Sequence, residues 1–265
     1  LGERKFGLFG KRNNIRTYAI QHGHFTPKSI SFWNAFTPGN SSEIIVFGEK
    51  YSEVVRQVYP RSKPVALGNP YYDNMSLKKK KTSKEKITIT FFSSFHAFQG
   101  RRAIFSNIEL VNLYLDFLIQ LYESCKDRIK LRIKLHPNES ENYIINYGKM
   151  FAREIEIVKN KDSFDVLKTT DIAMSWGSTV NLEAVLSGTL SVQLLLSKKS
   201  KFTEQDWSLK IYNYSQLKNL IDKICSDPEY YSSETKRQYS YIPMLLSNIG
   251  HSAQSISDHI LKNSI

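Results

Sequence analysis

Ser175, Gly177, Ser178 and Thr179 stand together in the stretch "MSWGSTVNLEAVLSG", directly after an apolar run and directly before a helical pattern. Small hydroxyl residues at the mouth of a helix do one of two things. They cap it, accepting from its first unpaired N–H groups, or they help hold a phosphate against those same groups, where the partial positive charge favours an anion. Gly177 lets a ligand approach the backbone closely, while Ser178 and Thr179 each carry a hydroxyl donor. Glu183 lies one helical turn past Thr179, where it either accepts from ribose hydroxyls or stands solvated as a first-turn acid. The turn alone does not choose between cap and cradle.

Two further segments carry imidazoles. In "KLHPNES", His136 precedes Pro137 and cannot run on into a helix, so its ring is expected at the edge of a sheet. There it can donate to a phosphate, neutral or charged, or serve the structure only. In "YAIQHGHFTP", His22 sits between Gln21 and Gly23 at the end of a strand. That suits a general base acting on an acceptor hydroxyl, although a histidine bonded to its own loop reads the same way. His22 and His24 make a poor zinc pair because no Cys, Asp or Glu lies beside them. Neither a metal nor a cofactor is expected. Ser93, Ser94 and His96 open a further polar loop, "SSFHAFQGRR". Phosphate-loop, dinucleotide-fingerprint, nucleophile-elbow and H-E-x-x-H motifs are absent, which removes support for kinase-type, dehydrogenase, α/β-hydrolase and zincin readings.

These residues need elements to position them, and the chain supplies an alternation. "IRTYAIQHG" reads as a strand, "SEIIVFGEKYSEVVRQVYP" as a strand and a helix stopped by Pro60, and "KPVALGNPYYDNM" as a strand and a turn. From residue 87 the order is "KITITFF" strand, "IELVNLYLDFLIQLYESC" helix, "IKLRIKLHP" strand, "YIINYGKMFARE" helix and "IEIV" strand. It continues with "SFDVLKTT" helix, "DIAMSW" strand, "STVNLEAVLSG" helix, "LSVQLLL" strand and terminal helices in "YSQLKNLIDKICSD" and "SISDHILKN". Such alternation builds a parallel sheet with right-handed crossovers and helices on both faces. Ligands gather at the carboxyl ends of its strands, and the polar residues above all fall at strand ends. His22 is expected to face the same cleft from across a domain boundary.

The 265 residues suit one large domain or two modest ones, and 41% hydrophobic with 12% aromatic residues supports a real core. No run approaches the ~18 to 20 apolar residues of a membrane span. The opening "LGERKFGLFGKRNN" lacks the apolar centre of a secretion signal, and the start at Leu1 reads as a fragment lacking its amino-terminal part. Cys125 and Cys225 are expected as reduced, buried thiols of a cytoplasmic protein. The net charge of +12 is concentrated partly in "KKKKTSKEK" at 78–86 and partly at Lys198, Lys199 and Lys201. It fits a solvated linker, an anionic membrane face or a strongly anionic substrate. Nucleic acid is not expected as a partner, since no recognition-helix, zinc-finger or RNP-like pattern accompanies the charge.

"KLHP" at 134–137, "SWGST" at 175–179, "QHG" at 21–23 and "LGNPYYDNM" together resemble the GT-B glycosyltransferases that build bacterial surface polymers. These are the CDP-glycerol glycerophosphotransferases and the capsule sialyl- and Kdo-transferases. More distantly, "GNPYYDNM", "LHPNE" and "SWGSTVNLEA" resemble non-hydrolysing UDP-GlcNAc 2-epimerases, although Met174 stands where those enzymes have an acidic residue. The resemblance implies an α/β, GT-B-like chain: part of an acceptor-side Rossmann-like domain at 1–70, a basic linker at 71–86, and a Rossmann-type donor domain with C-terminal helices at 87–265. It implies a metal-independent transferase that moves a sugar or glycerol-phosphate unit from a CMP- or CDP-linked donor to a glycan or lipid-linked acceptor. The work would be done in the cytoplasm, at the inner membrane face. In that reading Ser93, Ser94, His136, Pro137, Ser175, Gly177, Ser178, Thr179 and Glu183 bind the donor and His22 is the base. Gln21, Gly23, His24, Asn69 and His96 line the acceptor side or cleft. A UDP-sugar 2-epimerase and a non-catalytic nucleotide- or glycan-binding module are the alternatives.

Overall fold

The computed structural model describes residues 9–27, 29, 41–75, 86–94, 108–137, 139, 155–197 and 204–263. His96, the lysine-rich stretch up to residue 85, Lys198, Lys199, Lys201 and the helix expected from "YIINYGKMFARE" lie outside the described residues. The chain divides into two compact units, one made of Leu1–Ser76 with Ser240–Ile265 and the other of Leu77–Tyr239.

In the first unit, β1 (Tyr18–Ile20), β2 (Glu43–Val46) and β3 (Pro64–Ala66) form a parallel sheet in that order. Every residue of β2 is buried, as expected of a strand paired on both edges in a parallel sheet. Helix α1 (Glu49–Val58) makes the crossover from β2 to β3 and buries Tyr51, Ser52 and Val55, the stripe that helical spacing anticipates.

The second unit holds β4 (Ile87–Phe92), α2 (Ile108–Cys125), β5 (Ile129–Lys134), β6 (Glu156–Val158), α3 (Ser163–Leu167), β7 (Ile172–Ser175) and α4 (Val180–Leu186). It continues with β8 (Leu190–Leu194), β9 (Leu209–Ile211), α5 (Tyr214–Ser226) and α6 (Pro228–Tyr239). The six strands are parallel, in the order β6-β5-β4-β7-β8-β9. Alternation along β4 serves both faces. Ile89 and Phe91 pack with Tyr114 and Leu118 of α2, while Phe92 and Ala173 of β7 pack with Val166, Val180 and Ala184 of α3 and α4. The chain lays its strands outward from β4 to β6, returns to the other side of β4 and lays them outward again from β7 to β9. Strand order therefore reverses between β4 and β7, and a crevice opens outside the carboxyl ends at such a point.

Two elements of this unit carry almost no signal in the sequence. β9 is three residues long with Lys210 at its centre, and α6 has a nearly all-polar sequence. Alignment with β8 makes the first a strand. The second is anchored by Gln238, fully buried, whose side-chain amide accepts from Ser191 N at 2.8 Å and donates to Ser191 O at 2.8 Å.

The C-terminal helices α7 (Ile242–Leu245) and α8 (Ser252–Lys262) belong to the first unit, which corrects the expected extent of 87–265 for the second. Asp73 explains the attachment. Its carboxylate accepts from the backbone N–H groups of Gly250, Ser252 and Ala253 at 2.9–3.1 Å, closing the open start of α8. Gly68, at φ 93°, passes so close to this segment that a Cβ there would lie 2.2 Å from Ser247 O. At the other end of α8, His259 bonds the buried Glu43, which also pairs with Arg16. Residues 71–75 are consequently part of the first unit and not of a linker: Tyr72 is buried in it and Asp73 caps its last helix. Cys125 is buried as expected, whereas Cys225 is exposed on α5.

Candidate functional site

The turn after β7 is built by one side chain. Ser175 is fully buried, and its Oγ accepts from Gly177 N at 3.2 Å and Ser178 N at 3.1 Å while donating to Asn181 Oδ1 at 2.9 Å. A hydroxyl has one donor and two acceptor sites, so none remains for a ligand. Ser175 thus shapes the turn and is corrected from a donor-binding residue to a positioning one. Behind it lies a buried amide chain that sequence reasoning missed. Asn181 Nδ2 donates to Gln205 Oε1 (2.7 Å), Gln205 N to Gln193 Oε1 (2.8 Å), Gln205 Nε2 to Ser178 O (3.1 Å) and Gln193 Nε2 to Trp176 O (3.2 Å). The carbonyls of the turn are tied to the core from below. Gly177 at φ 146° occupies a conformation that other residues avoid.

Cap and cradle both find support here. Ser178 Oγ accepts from Val180 N at 3.3 Å, a capping bond made one residue before the formal N-cap. Thr179 is that N-cap, and its half-buried hydroxyl makes no bond to the helix. Helix α4 has only seven residues, all of them buried. Its dipole is correspondingly small, so attraction for an anion rests on the hydroxyls and amides of the turn.

The ends of β4 and β5 meet beside it. Phe92 pairs with Lys134 across the sheet, and Ser93 N donates to Lys134 O at 2.9 Å. Ser93 Oγ also donates to the buried carboxylate of Glu139, whose Oε2 accepts from His136 N at 3.2 Å. Ser94 Oγ is buried without a hydrogen-bond partner among the described residues, and His136 is half-buried with Pro137 exposed next to it. Lys134 is buried as well; its Nζ donates to Leu135 O at 2.7 Å. Burial holds this ammonium below the ordinary lysine range, against the opposing pull of Asp162 and Glu139.

Glu183 does not stand in solvent. It is 6% exposed, its Oε2 has no hydrogen-bond partner among the described residues, and burial pushes its carboxyl up to about 7, with the charge of Asp162 acting in the same direction. Asp162 caps α3 just beyond β6, accepting from Phe164 N at 2.8 Å. A buried carboxyl with an unsatisfied oxygen is costly, so it marks a place where a hydroxyl-bearing ligand would relieve the cost. Ser93 and Ser94 follow β4, His136 follows β5, and Gly177, Ser178 and Thr179 follow β7, the strands at and beside the point where strand order reverses, with Glu183 on the helix after that last turn.

A similar fold occurs in solved structures of proteins that bind or act on nucleotide sugars. HepE from Anabaena, crystallised with UDP-glucose, superposes with a TM-score of 0.62 at 12% identity over 97% of this chain and 75% of its own. The pneumococcal O-GlcNAc transferase GtfA, crystallised with UDP and GlcNAc, gives 0.60 at 13% identity, again over 97% of this chain and 55% of its own. A UDP-N-acetylglucosamine 2-epimerase gives 0.59 at 11% identity over 97% and 68%. The chain has a GT-B-like fold. It spans three quarters of the length of HepE and just over half of GtfA. The sequence matches no protein-family model and no curated relative.

In this GT-B-like chain the remaining candidates belong to the first unit. Gln21 is buried and committed: its N–H donates to Ile45 O (2.8 Å), its Oε1 accepts from Phe47 N (2.8 Å), and its Nε2 donates to Gly23 O (2.9 Å). It therefore braces the loop against β2 and leaves His22 exposed at the carboxyl end of β1. His24 is held by Tyr51, with Nδ1 at 3.1 Å from the hydroxyl and the rings edge to face. Asn69 caps a single 3-10 turn, Pro70–Tyr72, by accepting from Tyr71 N at 3.1 Å. Among the described residues no cluster of His, Cys, Asp and Glu is placed to hold a metal ion, and no helix is long and apolar enough to cross a membrane.

Proposed function

We propose that this chain is a glycosyltransferase, or a glycerophosphotransferase, that uses a pyrimidine-nucleotide-activated donor to extend a bacterial surface polysaccharide. The reading is supported by strand order: His136 follows β5 and Ser178 and Thr179 follow β7, the strands that flank β4, and the buried, unsatisfied carboxyl of Glu183 lies on the helix that opens at the β7 turn. The turn and His136 would hold the donor phosphate, and Glu183 would meet a ribose hydroxyl. When the bond from the donor group to phosphate breaks, charge grows on the phosphate oxygens. Donors fixed in place before the reaction stabilise that charge without reorganising. His22 would take the proton of the attacking acceptor hydroxyl. The acceptor is proposed as a glycan or lipid-linked chain at the inner membrane face, with the +12 net charge drawing in anionic partners. CMP- and CDP-linked donors remain the proposal on the motifs; the UDP held by HepE and GtfA makes uridine donors the competing arm.

Isothermal titration with CMP, CDP and UDP tests the donor site, and no binding at millimolar concentration would remove it. His136→Ala should weaken the nucleotide that binds by roughly tenfold, the order of one charge-assisted hydrogen bond. His22→Ala should leave that affinity in place and abolish transfer. An epimerase, the reading raised by the 2-epimerase neighbour, is separated by its product: it would convert a UDP-sugar with no acceptor present.

A further inference from the structure

Glu139 has no part in the donor contacts above, yet it is the group on which two strand ends meet. It is 4% exposed, and one oxygen, Oε2, accepts both from Ser93 Oγ at the end of β4 and from the backbone N–H of His136 beyond β5. Its own N–H donates to His136 O at 2.9 Å, so His136 and Glu139 are joined both through their backbones and through the carboxylate. A buried carboxylate is tolerated only where hydrogen bonds and a counter-charge meet it. Both are present: two donors on Oε2, and the buried ammonium of Lys134, which is close enough to Glu139 to feel its charge. Such an arrangement is more than a surface turn requires. Asn or Ser would close that turn without burying a charge.

We propose that Glu139 is the positioning residue for His136, fixing the backbone from which the imidazole projects and locking the exit of β5 to the exit of β4. The assignment rests on the donor-site reading for its purpose, but its geometry can be tested without any nucleotide. Glu139→Gln keeps an oxygen that can accept from both donors and loses the charge that matches Lys134. Glu139→Asp keeps the charge but is one methylene too short to serve both donors from the same backbone. Glu139→Ala removes everything.

The ring proton resonances of His136 in the nucleotide-free protein, assigned by comparison with His136→Gln, should shift and broaden in Glu139→Ala and Glu139→Asp. They should move least in Glu139→Gln. Nucleotide affinity should fall about tenfold in the Ala and Asp variants and about threefold in Gln, in line with losing or weakening a hydrogen bond to a charged group. In a His136→Ala background Glu139→Ala should cost little further affinity, because the two residues act as one unit. Unchanged His136 resonances in both the Asp and the Ala variants would overturn the assignment, as would affinity losses that add in full. If Ala fails to fold, the Asp and Gln variants carry the same comparison. If the wild-type chain binds no pyrimidine nucleotide, the donor-site reading falls while the resonances still decide the role of Glu139.

Discussion

At the scale of single residues, burial decides what each polar group can do. Ser175 and Ser178 are the same residue type, but Ser175 spends all its hydrogen-bonding capacity inside the turn while Ser178 retains a donor. Glu183 gives the clearest consequence. Its carboxyl is raised to about 7 from 4.5, so the folded chain holds a proton that the unfolded chain has already lost between those values. Stability is therefore highest below about pH 4.5 as far as this group is concerned, and declines as pH rises towards 7, by up to about 3 kcal/mol. Urea unfolding of Glu183→Gln between pH 5 and 8 should show a flatter profile than the wild type and greater stability above pH 7. A wild-type slope retained in the variant would place the titration elsewhere. Glu183→Ala should weaken nucleotide binding, since a ribose hydroxyl then loses its acceptor.

At the scale of elements, short segments are held by caps and not by length. Helix α8 starts on the Asp73 carboxylate, which its three backbone donors hold below the usual carboxylate range despite the opposing effect of burial. A depressed acid contributes stability above its unfolded value of 3.8, lost as pH falls through the folded value. Asp73→Ala should cost about 1–2 kcal/mol, the range for a lost helix cap. Faster amide exchange at Ser252 and Ala253, with the β4 amides unaffected, should locate the loss. Equal acceleration in β4 would contradict a cap confined to the first unit. The carboxyl-end turns of the second sheet follow the same logic, each closed by one buried side chain: Ser175 after β7 and Glu139 after β5.

At the scale of the whole molecule, two features dominate: the return of residues 240–265 to the first unit, and the net charge of +12. The charge makes a prediction about the proposed ligand. Long-range attraction to a nucleotide diphosphate is screened once the Debye length falls to a few ångströms, about 3 Å at 1 M salt. Affinity for the nucleotide that binds should therefore fall several-fold between low and high sodium chloride, measured by titration at fixed pH. Affinity independent of salt would assign binding to the buried contacts alone.

The alternation of apolar runs and helical stripes determined by itself that this chain makes parallel sheets, because a strand buried on both faces and a helix buried on one leave different periodicities. Local sequence also showed that hydroxyls and imidazoles fall at strand ends, since Pro137 and Gly177 punctuate those ends directly. Tertiary structure alone decided which of them are available. The pairing of β4 with β5 and β7 sets the reversal point. Ser175 and Asn69 spend their bonds on the turns they open, whereas Gln21 proves to be a brace through Ile45 and Phe47, partners that no local pattern encodes. Glu139, Gln193 and Gln205 escaped notice for the same reason. A hydrogen bond across 46 residues, such as that from Ser93 to Glu139, has no periodicity to betray it. Likewise the buried carboxyl of Glu183 acquires its raised pKa only from the surroundings that folding assembles.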